Sequence, residues 1–424
     1  MNYADTVRYL YSLGHELKTG KWDLANMRAL LAEMGHPEQR GRFIHVAGTN
    51  GKGSTCAMIA RALRAGGGRT GLYTSPHLVE PRERIQIDGR EIDEKAWCDA
   101  FEMTHQAAER LLSRDALPAH PSFFETVTAM AFFALAQAGV EMTVLETGLG
   151  GRLDATNVVM PEVAVITPVD FDHEAWLGSA IESIAAEKAG ILKAGRPAVL
   201  AQQRPEALRV LEGKALELAI PVHHSSEWRV EGLKADRYGS RFRLVRDEEL
   251  EIVCPLAGAH QVENARTAVA ALAVAGVSPA AIQAGIADVV WPGRLQTVAR
   301  NPDVILDGAH NPAGARSLAA YIRQYFSGAP VRLVFGAMRD KAIDEVTETL
   351  FPLADEVIVT APQQPRAVNP ETLAEACGYP NIRTAATLAR ALEMASARPM
   401  TTFITGSLYL VGEARAIYGT SPLL

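Results

Sequence analysis

A glycine-rich segment between an apolar run and a helical stretch constrains the fold of this chain more than any other feature. The run RFIHVAG ends at Gly48 and predicts a buried strand, and the sequence from Lys52 to Ala65 predicts a helix. Glycines let the backbone wrap closely around an anion, and the amide groups at a helix N-terminus point towards it. The order of strand, glycine-rich loop and helix therefore indicates an α/β domain that binds a phosphate group at this loop.

The loop GTNGKGST also carries the side chains that suit a nucleoside triphosphate and Mg²⁺. Lys52 supplies a positive charge for the terminal phosphates, and either Ser54 or Thr55 supplies a hydroxyl group for Mg²⁺. The spacing differs from the common GxxxxGK[ST] motif, because Gly53 stands where the hydroxyl residue usually lies. The alternative is a glycine-rich turn with an exposed lysine. The predicted nucleotide-binding residues of the loop are Gly48, Thr49, Asn50, Gly51, Lys52, Gly53, Ser54 and Thr55.

Short apolar runs alternate with helical stretches beyond this loop, which is typical of a mainly parallel sheet flanked by helices. Helices are predicted over 123–138 and 179–193, between apolar runs that predict strands. The segment 225–255 differs, because its alternation and polar turns predict a small antiparallel excursion. The predicted strands that follow the first one in this part of the chain are 69–75, 141–148 and 162–169.

Pro292 and Gly293, in the segment VVWPGRLQTVAR, predict a domain junction. The strand–helix alternation restarts after them, without a second phosphate loop. We therefore predict an α/β protein with an N-terminal P-loop domain over 1–293, whose mainly parallel sheet is flanked by helices. A smaller, C-terminal Rossmann-like α/β domain is predicted over 294–424. Because a short hinge joins the two units, we expect the active site in the cleft between them.

Composition argues against several classes of protein. The chain carries 42 Lys and Arg residues against 49 Asp and Glu residues, a net charge of −7, whereas nucleic-acid binding usually needs a basic face. The four cysteines lie far apart without CxxC spacing, so they predict neither a disulfide framework nor a zinc site. The N-terminus has no signal pattern, and the most apolar stretch, 126–140, is shorter than the ~20 residues of a membrane span. We expect a cytoplasmic monomer that binds small molecules, with no nucleic acid and no membrane as a partner.

Acidic and histidine residues follow two of the predicted strands. Glu146 ends one apolar run, and Asp170, Asp172 and His173 come directly after the next. Since the carboxyl ends of strands in an open α/β sheet converge on the ligand crevice, a carboxylate there is a candidate Mg²⁺ ligand. His173 is alternatively a hydrogen-bonded structural histidine. Ser75, at the end of TGLYTS, is on its own an ordinary turn residue.

Lys188 lies on the apolar stripe of a predicted helix. The residues that define the stripe recur at helical spacing, and Lys188 comes three residues after Ala185 and four before Leu192. A partly buried lysine loses proton affinity, and its neutral amine can react with CO₂ to form a carbamate that serves a metal. The alternative is a lysine whose aliphatic stem is buried while its head reaches water.

Nine short motifs occur in one order between residue 48 and about residue 413. They are GTNGKGS, TSPHL followed by RERI, LETGLGGRLDATN, DHEAWLG, EKAGI, GAHQVENA, PGRLQ, DGAHNP and TGSLYLVGE. Each motif is weak by itself, but the full ordered set is specific. Together they resemble the folylpolyglutamate synthase/dihydrofolate synthase family of the Mur-ligase superfamily, in its bacterial bifunctional form.

The resemblance implies an ATP-dependent ligase with two Mg²⁺ ions. A pteroate-type carboxylate would be activated as an acyl phosphate, which the amine of L-glutamate then attacks. Lys52 would contact the phosphates, and Lys188 would be the family's carbamylated lysine. His310 is a candidate base for the glutamate amine, or equally a nucleotide contact. The implied metal ligands are Ser75, Glu146, His173 and Lys188, and the implied catalytic residues are Lys52, Lys188, His173 and His310.

Matching of the remaining motifs implies further binding residues. These are Asn264 near the adenine, Arg294 and Asp307 towards the nucleotide from the second domain, and Ser407 on the glutamate side. Two motifs depart from the family, and the first is the Thr147 of LETG, where Val is commoner. In the second, RDKA, Ala342 stands where an acidic residue is usual, which leaves the role of Lys341 open.

The segment from Gly150 to Asn157 resembles the bifunctional form, in which Asp154 lies near dihydropteroate. Phe124 is then a stacking partner for the pterin. The alternative for Asp154 is a turn beside Thr156 and Asn157. The expected substrates are dihydropteroate, reduced folates, L-glutamate and ATP. The alternative functions are polyglutamylation alone, another Mur-type amino-acid ligase, and a nucleotide-dependent switch without ligase chemistry.

Overall fold

The computed structural model describes residues 1–14, 23–339 and 342–419, which form helices and strands in alternation. Within these ranges the strands build an eight-stranded sheet, a three-stranded sheet and a six-stranded sheet. The two larger sheets are mainly parallel, which confirms the predicted fold class. No helix in the described ranges is long and apolar enough to cross a membrane. The RDKA prediction concerns Lys341, which lies outside the described residues.

The eight-stranded sheet has the order β4-β3-β2-β5-β1-β6-β7-β8. From β2 to β8 all neighbours are parallel, while β3 and β4 form an antiparallel edge. β1 lies between β5 and β6, so the segments that follow these three strands meet at one edge of the sheet. The strands are β1 (Arg42–Ala47), β2 (Thr70–Tyr73), β3 (Ile85–Ile87), β4 (Arg90–Glu91), β5 (Met142–Glu146), β6 (Val163–Ile166), β7 (Ala198–Leu200) and β8 (Val222–His224).

Helices cover both faces of this sheet because its strands present apolar side chains on alternate sides. Ile44 and Val46 of β1 face a core shared with α3, α9 and α10, whereas Phe43 faces the core built by α1, α2, α4 and α5. The predicted helix 52–65 is confirmed to the residue. The helices of this region are α1 (Tyr3–Ser12), α2 (Ala25–Glu33), α3 (Lys52–Ala65), α4 (Glu94–Leu112), α5 (Phe123–Gln137), α6 (Glu174–Leu177), α7 (Ile181–Ala189), α8 (Pro205–Glu217), α9 (Ala259–Val274) and α10 (Pro279–Ala287).

The three-stranded antiparallel sheet is the predicted excursion between residues 225 and 255. Its strands are β9 (Arg229–Ala235), β10 (Ser240–Val245) and β11 (Glu249–Cys254). Along β11 exposed and buried residues alternate, so one face of the sheet is free for solvent and the other packs on the core of α3 and α9.

The six-stranded sheet has the order β12-β13-β17-β14-β15-β16 and is parallel except for β12 at its edge. It begins after the predicted junction at Pro292 and Gly293. The assignment of 1–293 and 294–424 as two domains stays a prediction. The strands are β12 (Gln296–Ala299), β13 (Val304–Leu306), β14 (Val331–Phe335), β15 (Glu356–Val359), β16 (Ile382–Thr384) and β17 (Thr401–Thr405), with helices α11 (Pro312–Tyr325), α12 (Ile343–Leu350), α13 (Pro370–Cys377), α14 (Leu388–Ser396) and α15 (Leu408–Tyr418).

Candidate active site

A cavity of about 1050 Å³ lies between the carboxyl ends of the two parallel sheets. Pockets for a single small molecule usually measure ~300–1,000 Å³, so this one has room for more than one ligand. Thr55 and Asp154 are outside its wall. The predicted site residues that line it are Gly48, Thr49, Asn50, Gly51, Lys52, Gly53, Ser54, Ser75, Phe124, Glu146, His173, Lys188, Asn264, Arg294, Asp307, His310 and Ser407.

The glycine-rich loop joins β1 to α3 as predicted, and its lysine lies inside the turn. Lys52 Nζ donates hydrogen bonds to the carbonyl oxygens of Gly48 and Thr49, both at 3.1 Å. Thr49 Oγ1 donates to the carbonyl oxygen of Asp170 at 2.9 Å, which ties the loop to the segment after β6. The loop therefore holds a positive charge and the amide groups of a helix N-terminus towards the cavity.

Two glycines of the loop lie against side chains from distant segments. Gly51 precedes α3 with φ at 82°, and a Cβ there would lie 2.2 Å from Asn264 Oδ1. At Gly53 a Cβ would lie 2.9 Å from Cζ2 of Trp291, the residue before the predicted junction. Trp291 therefore occupies the space of a side chain at position 53, which explains why no hydroxyl residue stands at this position of the motif.

The hydroxyl groups that the sequence left open differ in environment. Ser54 lines the cavity, and its Oγ accepts a hydrogen bond from Gln261 Nε2 at 3.3 Å. Thr55 is fully buried, and its Oγ1 has no hydrogen-bond partner among the described residues. Of the two, Ser54 is the one that a ligand in the cavity can reach.

Glu146 ends β5 next to this loop and is 4% exposed. Its Oε2 accepts a hydrogen bond from the backbone amide of Ser75 at 3.1 Å. Burial raises the pKa of the Glu146 carboxyl, while the charge of Lys52, the amide of Ser75 and the charge of Arg294 counteract the rise. The structure thus brings Ser75 and Glu146 together, and it gives the carboxylate a site where a cation stabilises its charged form.

Lys188 lies on the buried side of α7, and the whole residue is 3% exposed. Burial lowers the pKa of its amine to about 7, and the charge of Lys52 contributes to the decrease, while Asp172, Asp154 and Glu187 oppose it. This burial argues against the alternative of a head that reaches bulk water, and Lys188 lines the cavity. Near neutral pH a large fraction of this amine is unprotonated and able to react.

The second unit contacts the first across the cavity. Asn311 Nδ2 donates to Asn50 Oδ1 and to Asp172 Oδ2, both at 3.1 Å. His310 Nδ1 lies 2.7 Å from the carbonyl oxygen of Gly308, so this nitrogen carries the proton, and Nε2 lies 3.6 Å from Asp172 Oδ2. His173, which has a φ of 53°, lies on the other side of Asp172, with its Nε2 3.8 Å from Oδ1.

Asp307 is buried in this wall, and Arg294 beside it is partly buried. Burial lowers the pKa of the Arg294 guanidinium and raises the pKa of the Asp307 carboxyl, and each charge opposes the shift of the other. Asp307 also accepts hydrogen bonds from the backbone amides of Leu295 and Ala309, each at 3.0 Å. Ser407 is the N-cap of α15 and accepts from the amide of Tyr409 at 3.2 Å.

The predictions for Asn264, Phe124 and Asp154 compare differently with the structure. Asn264 Nδ2 donates to Gln261 Oε1 at 2.9 Å beside the loop, and the predicted adenine contact stays a prediction. Phe124 lines the cavity at the start of α5. Asp154 Oδ2 accepts from the amide of Leu149 at 2.8 Å, and Oδ1 accepts from the amide and the hydroxyl of Thr156. These bonds favour the turn alternative for Asp154.

Sequence reasoning missed one wall of the cavity, although the motifs TSPHL and RERI contain two of its residues. Arg84 Nε donates to His77 Nδ1 at 2.9 Å, and the Arg84 guanidinium lies 5.1 Å from the centre of the Phe123 ring. Burial, with the charge of Arg84, lowers the pKa of His77 well below its usual value. Tyr11 stacks on Phe123 with ring centres 5.4 Å apart. The spacing of these four residues in the sequence carried no signal that they would meet.

Comparison with known proteins agrees with this architecture. The Mur ligase middle domain matches residues 46–272, and the Mur ligase glutamate ligase domain matches 293–408. The chain is 35% identical to a folylpolyglutamate synthase of Lacticaseibacillus casei over 98% of both chains. It is 36% identical to a dihydrofolate synthase/folylpolyglutamate synthase of Bacillus subtilis, over 97% of this chain and 98% of that one. The crystal structure of Mycobacterium tuberculosis folylpolyglutamate synthase complexed with ADP and AMPPCP superposes with a TM-score of 0.92 at 34% identity and covers 100% of both chains.

Proposed function

This chain belongs to the folylpolyglutamate synthase/dihydrofolate synthase family of the Mur ligases, and from that membership we propose an ATP-dependent amide ligase. Its reactions join L-glutamate to dihydropteroate and to the glutamate tail of reduced folates. The observation that carries the proposal is the common cavity of Lys52, Glu146 and Lys188, closed on its other side by Arg294 and Asp307. It combines a phosphate loop, a buried carboxylate and a reactive amine.

Divalent cations fit the wall where Ser75 and Glu146 meet, and His173 lines the same cavity. Mg²⁺ prefers oxygen ligands, and burial raises the pKa of the Glu146 carboxyl, so a cation at this point stabilises the carboxylate. We assign one Mg²⁺ to Ser75 and Glu146, and a second to His173 and a carbamate on Lys188. When bound, Mg²⁺ supplies positive charge for the phosphoryl group that ATP transfers.

The carbamate forms at the Nζ atom of Lys188. The neutral amine attacks the carbon of CO₂, a C–N bond forms, and the amine loses a proton to solvent, so that the product carries one negative charge. Lys188 is suited to this step because burial lowers its pKa to about 7. The carbamate then places a negative charge where the neutral amine stood, near the positive charge of Lys52.

Lys52 and the amide groups that begin α3 bind and orient the phosphates of ATP. Transfer of the terminal phosphoryl group converts the folate carboxylate into an acyl phosphate, which the amine of L-glutamate attacks with release of phosphate. His310 is a candidate acceptor for the amine proton, because its Nδ1–H bonds to the carbonyl of Gly308 and leaves Nε2 with a lone pair. A nucleotide contact is the equal alternative for His310.

The remaining assignments concern binding. We propose that Arg294 and Asp307 bind the nucleotide, that Asn264 lies near the adenine, and that Ser407 contacts glutamate. Phe124 is proposed to stack on the pterin. Asp154 is proposed to affect the binding of dihydropteroate by holding its own loop in place, because its carboxylate oxygens accept hydrogen bonds from Leu149 and Thr156.

We also propose that the protein acts in the cytoplasm, as a monomer, on small molecules. Its net charge of −7 favours neither nucleic acid nor an anionic membrane surface as a partner.

The test is ATP-dependent phosphate release in Mg²⁺ buffer, with L-glutamate and either dihydropteroate or a tetrahydrofolate. Glutamate-dependent release with both acceptors is the expected result. Release with the tetrahydrofolate alone reduces the protein to a folylpolyglutamate synthase, which is the name of two of the three relatives above. Phosphate release that ignores glutamate with every acceptor contradicts the ligase proposal.

A further inference from the structure

Two histidines and a glutamate meet on the outer side of the first unit, away from the cavity. His105 and Glu109 are one helical turn apart on α4, and His120 precedes α5. One ligand atom of each lies within 4.8 Å of the others. Glu109 Oε1 lies 3.9 Å from His105 Nδ1 and 4.0 Å from His120 Nε2. We name these three residues the α4 histidine cluster.

The two imidazoles of this cluster differ in their hydrogen-bond partners. His120 Nδ1 lies 3.0 Å from the carbonyl oxygen of Pro121, which can only accept, so His120 carries its proton there. Histidine ligands of metals commonly donate their other nitrogen in this way. The Nε2 of His120 is then an acceptor that faces the Tyr9 hydroxyl at 3.3 Å, and a cation takes this lone pair in place of that hydroxyl. His105 Nδ1 is buried and has no hydrogen-bond partner among the described residues, so the cluster leaves a buried nitrogen unsatisfied.

We propose that the α4 histidine cluster binds one divalent transition-metal cation, with Zn²⁺ as the representative ion. Two imidazole nitrogens and one carboxylate oxygen are a preferred ligand set for Zn²⁺ and a poor one for Mg²⁺. The ligand atoms are slightly farther apart than the ~3.4 Å between ligands around a tetrahedral zinc. Glu109 is 55% exposed, so its carboxylate can rotate to close this gap.

The cluster packs against α1, which leads to one wall of the cavity. Tyr9 of α1 lies with its hydroxyl 3.3 Å from His120 Nε2, and its ring contacts the ring of His105 edge-on at 4.9 Å. Two residues beyond Tyr9, Tyr11 stacks on Phe123, which follows His120 by three residues. A cation that links α4 to the segment before α5 therefore stabilises the Tyr11–Phe123 stack without contacting the reacting groups. The inference does not depend on the proposed function.

The experiment uses the untagged full-length protein after removal of metals. Zn²⁺ is titrated against a chromophoric chelator in the presence of saturating MgCl₂, which occupies sites built from oxygen ligands. The wild type is expected to bind one more equivalent of Zn²⁺ than the His105→Gln/His120→Gln double variant does. Its Tm is expected to rise with Zn²⁺ by roughly 2–4 °C relative to the variant.

Two further variants keep the result interpretable. Glu109→Gln changes an exposed side chain, so it preserves the fold and is expected to weaken Zn²⁺ binding at least tenfold. His224→Gln is the matched control, since His224 pairs with Glu212 at 3.4 Å on another surface, outside the cluster. It is expected to bind as the wild type does. Equal Zn²⁺ stoichiometry and affinity in the wild type, the double variant and Glu109→Gln overturns the proposal.

Discussion

The two sheets bring different chemistry to the cavity. On the first side, Glu146 and Lys188 are buried with shifted pKa values: that of Glu146 is raised, and that of Lys188 is lowered to about 7. On the second side, Asp307 accepts two backbone amides, and Asn311 and Ser407 are N-caps of helices. The first side therefore holds an amine whose protonation can change during a reaction. On the second side burial also raises the pKa of Asp307, and His310 is a candidate proton acceptor, but the backbone bonds and the helix caps hold most groups in place, which suits binding and orientation.

The largest effect is expected at Lys188, on the reactive side. Lys188→Ala removes the amine that would carry the carbamate, so glutamate-dependent phosphate release should fall by about 10³-fold, as for loss of a group that stabilises transition-state charge. The fold should persist, because alanine suits the helix α7. Steady-state kcat and thermal unfolding measure the two effects.

Lys193→Ala is the matched control for this variant. Lys193 lies just beyond α7, and burial also lowers the pKa of its amine, but it does not line the cavity. Its activity should stay within about twofold of wild type. Short carboxylic acids are expected to restore part of the activity of Lys188→Ala and to leave the activity of Lys193→Ala unchanged. Full activity of Lys188→Ala would falsify the carbamate role.

Arg294→Gln tests the positioning side. The variant removes a partly buried charge that opposes the pKa shift of Asp307, and it takes one cation from the proposed nucleotide wall. The KM for ATP should rise by about tenfold, since hydrogen bonds to charged groups contribute about 1.5–3 kcal/mol, while the KM for the folate should change little. Initial rates at varied ATP and at varied folate separate the two constants.

The control for loss of contact between the two units is Arg237→Gln. Arg237 Nη1 bonds Asp303 Oδ2 at 2.9 Å, which links the three-stranded sheet to the second unit outside the cavity. Both KM values should be unchanged in this variant. If Arg294→Gln raises the KM for the folate more than that for ATP, the division of the cavity between two sides is wrong.

The sequence predicted which residues form the reactive side better than it predicted the contacts around them. Lys188 was identified because helical spacing places it on an apolar stripe, and the loop residues because a strand and a helix flank them. Local periodicity carries no information on contacts between distant segments. The Trp291 ring over Gly53 and the Arg84–His77 contact depend on how separate segments pack, and they were found only in the structure. For Asp154 the turn beside Thr156 is an alternative that the sequence offers, whereas the bond from the amide of Leu149 was found only in the structure.

A smaller effect concerns the pH dependence of stability. The pKa of Lys188 is about 7 in the folded chain and near 10.5 when unfolded. Between these values the unfolded chain binds more protons, so the free energy of unfolding should rise with pH, by about 1.4 kcal/mol per unit from this group. Below pH 7 both states are protonated and the contribution is flat. The measurement is urea unfolding in CO₂-free buffers at several pH values.

Lys188→Met provides the reference curve, because it keeps the length of the side chain and has no amine. The free energy of unfolding of the wild type should rise relative to that of this variant from pH 7 towards pH 10. Added bicarbonate should raise the free energy of unfolding of the wild type without reducing this rise, since carbamate formation stabilises the folded chain and releases a proton from it. A difference that is independent of pH would show that Lys188 has an ordinary pKa.

The smallest expected effect separates a helix cap from a ligand contact on the positioning side. Ser407 caps α15 at the cavity, and Thr387 caps α14 outside it, where its Oγ1 accepts from the amide of Arg390 at 3.3 Å. Replacement of either residue by alanine should lower the free energy of unfolding by about 1 kcal/mol. Only Ser407→Ala should also raise the KM for glutamate, by roughly fivefold, since one lost hydrogen bond contributes about 1 kcal/mol.

The two caps are chemically alike. If both variants lose the same stability but only Ser407→Ala has a raised KM, the rise in KM is due to a lost contact with glutamate. Unchanged KM values in both variants would leave Ser407 as a helix cap alone, and the positioning side would then bind glutamate through other groups.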